Sequence, residues 1–246
     1  MPESAPVALV TGAARRVGAV IARRLHAAGY DVALHHRRSG NAASALQAEL
    51  ERERAGSTLV LQAELAEFDR LPELIAQAVG RFGRLDALVN NASAFYPTPI
   101  GGTVPAQWDE LFASNARAPF FLSQAAVPHL RKARGAIVNL VDVYAERPLA
   151  EHTLYCMAKA ALAMMTLSLA KELGPEIRVN AVAPGAVLWL EQGKAQAEQD
   201  AMIAGTALQR AGTPEDVAEA VRWLLQDAHY TTGQVLRVDG GRFLRI

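Results

Sequence analysis

Short runs of β-branched and aliphatic residues alternate along this chain with longer stretches of helical period, and no other feature narrows its possible folds so far. The runs are too brief for helices, and the stretches between them too long for hairpin turns, so the pattern reads as repeated βα units around a parallel sheet. Strands are expected at 7–11, 31–36, 57–62, 87–89, 136–141, 178–181 and 234–238. Helices are expected at 17–28, 42–54, 71–82, 105–129, 153–173 and 214–225. Seven strands suit a doubly wound α/β sheet with helices on both faces. A length of 246 residues allows one domain or two. With no internal repeat, low-complexity tract or long linker, residues 1–246 are expected to form a single Rossmann domain. The segment from Leu188 to Thr206 resists assignment: polar and weakly helical, it follows the Pro184-Gly185 break at a strand's carboxyl end. It is either a surface insertion or a substrate-covering loop over about 186–206.

Charge excludes some partners. Lys and Arg total 25 and Asp and Glu total 25, so no net field draws the molecule to nucleic acid or to an anionic membrane, and any anion site must be local. Residues 1–6 lack the basic and apolar regions of a signal peptide. Charges, Gly or Pro interrupt each later apolar stretch before the roughly 18 residues needed to span a bilayer, so the expected location is cytoplasmic. The single cysteine, Cys156, has no partner for an intrachain disulfide and no neighbours at metal-ligand spacing, so no metal is expected. Beside Tyr155 it is either a packed thiol or a reactive one.

Between the first strand and first helix stands Thr11-Gly12-Ala13-Ala14-Arg15-Arg16-Val17-Gly18. Such a turn aims backbone N–H groups and a helix N-terminus at a phosphate, with Gly12 permitting the turn and Gly18 close helix packing. An NAD site would normally end the second strand in a carboxylate for the ribose hydroxyls, but this strand ends His35-His36-Arg37-Arg38-Ser39. Guanidinium forks and a hydroxyl suit a ribose 2′-phosphate, so the expected cofactor is NADPH, the alternative being that the run is only a solvated charged turn. Asn90-Asn91-Ala92-Ser93 follows the fourth strand, where small residues would admit a ribose, or where the chain simply turns. Pro184-Gly185 ends the sixth strand, either beside the nicotinamide amide or as an ordinary terminating turn.

Tyr155 and Lys159 lie four apart in an expected helix, so their side chains share one face. A phenol of pKa about 10 becomes a useful acid or base only when its proton equilibrium is shifted, and a neighbouring ammonium would favour the phenolate. Lys159 can also hold the nicotinamide ribose. The pair follows a strand that ends in Asp142.

Through Thr11-Gly12 to Gly18, Asn90-Asn91-Ala92, Asn115, Tyr155 to Lys159 and Pro184-Gly185, the chain resembles the short-chain dehydrogenase/reductase family over essentially its whole length. In that family a Ser normally stands thirteen positions before the Tyr, and the Asn at position 115 helps hold the Lys and a proton-relay water. This chain has Asp142 in place of the Ser, and Arg16 where the turn's middle glycine is usual. Together with Phe95 in Asn91-Ala92-Ser93-Ala94-Phe95-Tyr96-Pro97-Thr98-Pro99 and the run His36-Arg37-Arg38-Ser39, these departures resemble the pteridine reductase branch. That resemblance implies a homotetramer that reduces pterins, and often folates, with NADPH, the pterin lying between nicotinamide and a phenylalanine. It implies Phe95 as the stacking ring, Arg16 and Ser93 as pterin or pyrophosphate contacts, and Asp142 with Tyr155 as the proton-handling pair. It further implies catalytic roles for Lys159 and Asn115, and cofactor contacts from Gly12, Arg16, Val17, Gly18, His36 to Ser39, Asn91, Ala92, Ser93, Tyr155, Lys159, Pro184 and Gly185. The chemistry is compatible: a ring C=N bond ends as N–H and needs a proton delivered to nitrogen, and a carboxyl raised in pKa by apolar surroundings can supply one. The bland alternatives are a core Phe95, a turn-capping Asp142 and a solvent-exposed Arg16. Leu188-Trp189-Leu190-Glu191 would decide the pterin side chain, with Trp189 against the substrate or a neighbouring subunit. Biopterin, monapterin and folate stay open, as does a carbonyl or 3-oxoacyl thioester reductase of the same family, or a non-catalytic NADPH-binding protein.

Overall fold

Strands that read Val-Ala-Leu-Val or Ala-Ile-Val-Asn-Leu have no polar face to offer water, so both of their faces must be covered. The structure, a computed structural model describing residues 5–187 and 196–245, covers them with helices. The strands are β1 (Val7–Val10), β2 (Asp31–His36), β3 (Thr58–Gln62), β4 (Ala87–Asn90), β5 (Ala136–Leu140), β6 (Arg178–Pro184) and β7 (Val235–Val238). They form one seven-stranded sheet in the order β3-β2-β1-β4-β5-β6-β7, parallel at every pairing. The helices are α1 (Arg16–Ala27), α2 (Gly40–Glu53), α3 (Leu71–Phe82), α4 (Pro105–Phe112), α5 (Ala118–Ala133), α6 (Thr153–Leu173), α7 (Gln196–Ala204) and α8 (Pro214–Gln226). Ala8 and Val10 of β1 point into a core made with α1, α2 and α8. Val7 and Leu9, one residue out of step, point into a second core made with α3 and α5. The doubly wound single domain expected from the sequence is the one observed.

Three elements differ from the expectation. β6 runs on to Pro184, because Val182 to Pro184 pair with Leu236 to Val238 of β7, and a proline is tolerated where a strand stops. The single helix expected at 105–129 is two, α4 and α5, joined by a π turn at Ala113–Arg117. Pro119, the second residue of α5, has no N–H to give to the Asn115 carbonyl four residues back, which favours a wider turn there. Finally, α6 is long and apolar enough to cross a bilayer by length and composition, against the expectation that no stretch is. It packs instead on the sheet, burying Leu154, Ala158, Leu162 and Leu173, and it carries Lys159. Within the segment expected to cover the substrate, α7 is helical, while Leu188-Trp189-Leu190-Glu191 lies outside the described residues.

One polar feature runs through the interior. Asn90 and Asn139 are direct neighbours across β4 and β5, and the Asn90 amide donates to Asn139 Oδ1 at 2.8 Å. The Asn139 amide in turn donates to Thr166 Oγ1 on α6 at 2.9 Å. Ser123 of α5 lies 3.4 Å from the Asn90 amide.

Candidate active site

Strand order reverses direction about β1, which has β2 on one side and β4 on the other, and this opens a crevice at the strands' carboxyl ends. The turn after β1 lies in it. Asn91 Nδ2 donates to the carbonyls of Thr11 at 2.8 Å and Gly12 at 3.2 Å. Thr11 Oγ1 accepts the N–H groups of Asn91 and Ala92 at 2.9 and 3.0 Å. From the other side, the His35 carbonyl accepts the Ala13 N–H at 2.8 Å, and His35 Nδ1 accepts the Gly12 N–H at 3.2 Å. The Gly12 and Ala13 donors are thus spent inside the protein, and the N–H groups left for a phosphate begin at Ala14. Gly12 has φ +64, and a Cβ there would come within 3.0 Å of the Ala92 Cα. On Gly18 a Cβ would stand 2.2 Å from the Gly12 carbonyl oxygen and 2.5 Å from Asn91 Nδ2, so no other residue fits. Arg16 is exposed and has φ +53, a left-handed conformation that a glycine would adopt without strain.

At the end of β2 the run His36 to Ser39 divides. Arg37 is held by Glu64 and lies 4.0 Å from Glu110. Arg38 is exposed and has no ion pair among the described residues. Ser39 caps α2 through its carbonyl, which accepts the Ala43 N–H at 3.0 Å, rather than through its hydroxyl. His36 is buried, and its Nδ1 has no hydrogen-bond partner among the described residues. An unpaired guanidinium, an uncommitted hydroxyl and an orphaned ring nitrogen fit a phosphorylated ribose, and Val17 and Gly18 bring the start of α1 to the same crevice.

Asp142, Tyr155, Lys159, Asn115, Ser93 and Phe95 come together at the ends of β4 and β5. Asp142 Oδ1 accepts the Tyr144 N–H at 3.0 Å, capping a short 3₁₀ turn, and Oδ2 accepts the Tyr155 hydroxyl at 2.7 Å. Asp142 therefore caps and pairs at once. Burial raises the Asp142 pKa, against weaker lowering by its hydrogen bonds and by the charges of Lys159 and Arg242. Tyr155 is raised well above the ordinary phenol value, first by burial and then by the Asp142 carboxylate, with Ser93 pulling the other way. The expected lowering by Lys159 is absent: the ammonium lies 5.7 Å from the phenol ring centroid, whereas the carboxylate touches the hydroxyl. Lys159, fully buried, donates to the Leu140 carbonyl at 2.7 Å, and desolvation brings its pKa down to about 8.

Asn115 sits in the π turn with no exposed surface. Its amide donates to the carbonyls of Ala94 and Leu111, each at 2.9 Å, and its Oδ1 accepts the Ser93 hydroxyl at 2.7 Å. Phe95 is 40% exposed, meets Tyr155 edge-on at 4.7 Å between centroids and stacks on His152 at 4.6 Å. Gly185, after β6, packs so tightly on Asp239 that a Cβ would lie 2.7 Å from the Asp239 Cβ, giving the Pro184-Gly185 pair a packing reason of its own. The sequence reading missed His35 and His152. The first hides in an apolar strand; the second stands just before α6, outside the helical periodicity that links Tyr155 to Lys159.

Known proteins resemble the chain over nearly its whole length. A family described as enoyl-(acyl carrier protein) reductase matches residues 12–242. Pteridine reductase 1 of Leishmania tarentolae is 38% identical, covering 97% of this chain and 96% of its own. Ketoacyl reductase 2, so named, of the granaticin polyketide synthase of Streptomyces violaceoruber is 38% identical over 98% and 97% of the two chains. A 3-oxoacyl-(acyl-carrier-protein) reductase of Staphylococcus epidermidis is 34% identical over 96% and 98%.

Proposed function

Because the chain belongs to the short-chain dehydrogenase/reductase family, and so to the oxidoreductases that use a nicotinamide cofactor, we propose that it is an NADPH-dependent pteridine reductase. The observation that carries this reading is the 2.7 Å hydrogen bond from Tyr155 to Asp142, beside the half-exposed ring of Phe95. A ketone reductase gains from a neutral donor to the carbonyl at position 142. A carboxyl group there serves a different product, a ring nitrogen that must receive a proton.

When bound, NADPH would supply a hydride for the carbon of the substrate C=N bond, and the protein supplies the proton that completes N–H. Tyr155 cannot release its proton beside an ionised Asp142 without leaving two negative charges in a buried site. With Asp142 protonated that obstacle goes: Tyr155 passes its proton to the ring nitrogen and takes the Asp142 proton in its place. The balance is one hydride and one proton gained by the substrate, one proton lost by Asp142 and none by Tyr155. Lys159, anchored on the Leu140 carbonyl, holds the nicotinamide ribose, with Asn115 and Ser93 fixing the neighbouring loop. Arg38 and Ser39 take the 2′-phosphate, with His36 and Arg37 beside them. The backbone around Arg16, Val17 and Gly18 takes the pyrophosphate, and Ala92, Pro184 and Gly185 line the remainder. Phe95 and Arg16 receive the flat ring. Phe120 stands exposed on α5, and Met164 and Leu167 on α6, apolar groups that neighbouring copies would cover in the homotetramer proposed.

The relatives named for ketoacyl reduction favour a second reading, a 3-oxoacyl thioester reductase. NADPH oxidation followed with dihydrobiopterin, dihydrofolate and a short 3-oxoacyl thioester separates the two. Turnover of the thioester alone would overturn the pterin assignment, and NADH used as efficiently as NADPH would overturn the role given to Arg38.

A further inference from the structure

The turn that follows β1 contains a glycine in a left-handed conformation; Thr11 Oγ1 ties its start to the Asn91 and Ala92 N–H groups, but Ala13 and Ala14 carry no side chain that fixes the height of the turn's own N–H groups over the crevice. Something outside it must. Asn91 fixes two of its carbonyls, but carbonyls do not bind a phosphate; the orientation of the N–H groups does.

We propose that His35 is the positioning residue for the dinucleotide turn, its ring holding the Gly12 N–H so that the next N–H groups face the pyrophosphate of NADPH. The ring is 1% exposed and spans two elements. Nε2 lies 3.2 Å from the Ala63 carbonyl oxygen just beyond β3. A carbonyl only accepts, so Nε2 carries the proton and Nδ1 is left as an acceptor, which the Gly12 N–H meets at 3.2 Å. The His35 backbone completes the hold by accepting from Ala13. Burial keeps the ring neutral down to about pH 4, so this tautomer persists under physiological conditions. His35 is also the last but one residue of β2, three before Arg38, so it sets the distance between the pyrophosphate donors and the 2′-phosphate cation. A cofactor with both groups feels that distance twice.

The inference rests on the cofactor reading of the turn, and the test keeps the two apart by using NADP⁺ without substrate. In His35→Asn the side-chain oxygen occupies the place of Nδ1 and keeps the Gly12 bond. In His35→Gln the amide reaches Ala63 and leaves Gly12 without an acceptor. Calorimetry is expected to show NADP⁺ binding weakened about fivefold in His35→Gln, the weight of one hydrogen bond, and within twofold of wild type in His35→Asn. Equal losses in both variants, or none in either, would overturn the role of the ring. Wild-type protein that does not bind NADP⁺ would overturn the cofactor reading, and this inference with it. In the cofactor-free wild-type protein, nitrogen NMR should show the Nε2–H tautomer and hydrogen exchange a protected Gly12 amide. An Nδ1–H tautomer or a freely exchanging amide overturns the proposal whether or not either variant folds.

Discussion

Asp142 has two oxygens and two tasks, one holding the turn beyond β5 and the other the Tyr155 proton. The first could be met by a serine; the second needs a group that can be an acid. The proposed relay requires Asp142 protonated and burial raises its pKa, so turnover should fall as pH rises through that raised value. In Asp142→Asn the amide keeps the shape but has no proton to relay. We expect turnover lowered on the order of 10²- to 10⁴-fold and the alkaline fall abolished. A pH profile of kcat checks this, and an unchanged alkaline limb in the variant would remove Asp142 from the relay. Arg16 carries a different tension: its φ of +53 suits glycine. Arg16→Gly should stabilise the cofactor-free protein by about 1 kcal/mol, seen as a higher Tm, while raising KM for the proposed pterin substrate through loss of the guanidinium. A variant with lower Tm and unchanged KM would contradict both halves.

At the scale of elements, strands and helices were legible because each carries its own periodicity, and α3 and α6 lie at the boundaries read from sequence. The break between α4 and α5 was not, since the apolar pattern continues through 105–129 and a π turn costs only one residue of phase. Its trace is Pro119, tolerated at the second position of a helix and therefore easily read as neutral. The loop residues of the site were legible from motif, whereas the reversal of the Tyr155 shift was not: spacing puts Lys159 on the right face but does not say that a carboxyl oxygen lies closer than the ammonium. The π turn also yields a test. In Pro119→Ala an N–H becomes available to the Asn115 carbonyl, which favours an ordinary α turn and rotates Asn115 away from Ser93 and Ala94. We expect a kcat at least tenfold lower with Tm unchanged or raised. A variant as active as wild type would show that the wider turn has no part in placing Asn115.

For the molecule as a whole, buried basic groups tie stability to pH. His35 titrates at about 4 when folded against about 6.5 unfolded, so the unfolded chain binds the extra proton between those values. Its contribution is therefore complete above about pH 6.5 and is lost as pH falls toward 4, by up to about 1.4 kcal/mol per pH unit. His26, also lowered by burial, acts in the same direction. Denaturant midpoints at pH 7, 6 and 5 should decline, and less steeply in His35→Asn; parallel slopes would show that the ring is not neutral when folded.

The paired asparagines of β4 and β5 have one more consequence. Strands covered on both sides are apolar at nearly every position, so sliding one along its neighbour by two residues exchanges like for like, and hydrophobicity alone gives little reason to prefer one alignment. Asn90 and Asn139 remove that ambiguity, because any slip would bury two amides without each other. Aliphatic side chains at both positions would keep the interior dry and dense, yet leave half the sheet free to assemble out of frame, carrying Asp142 away from its phenol.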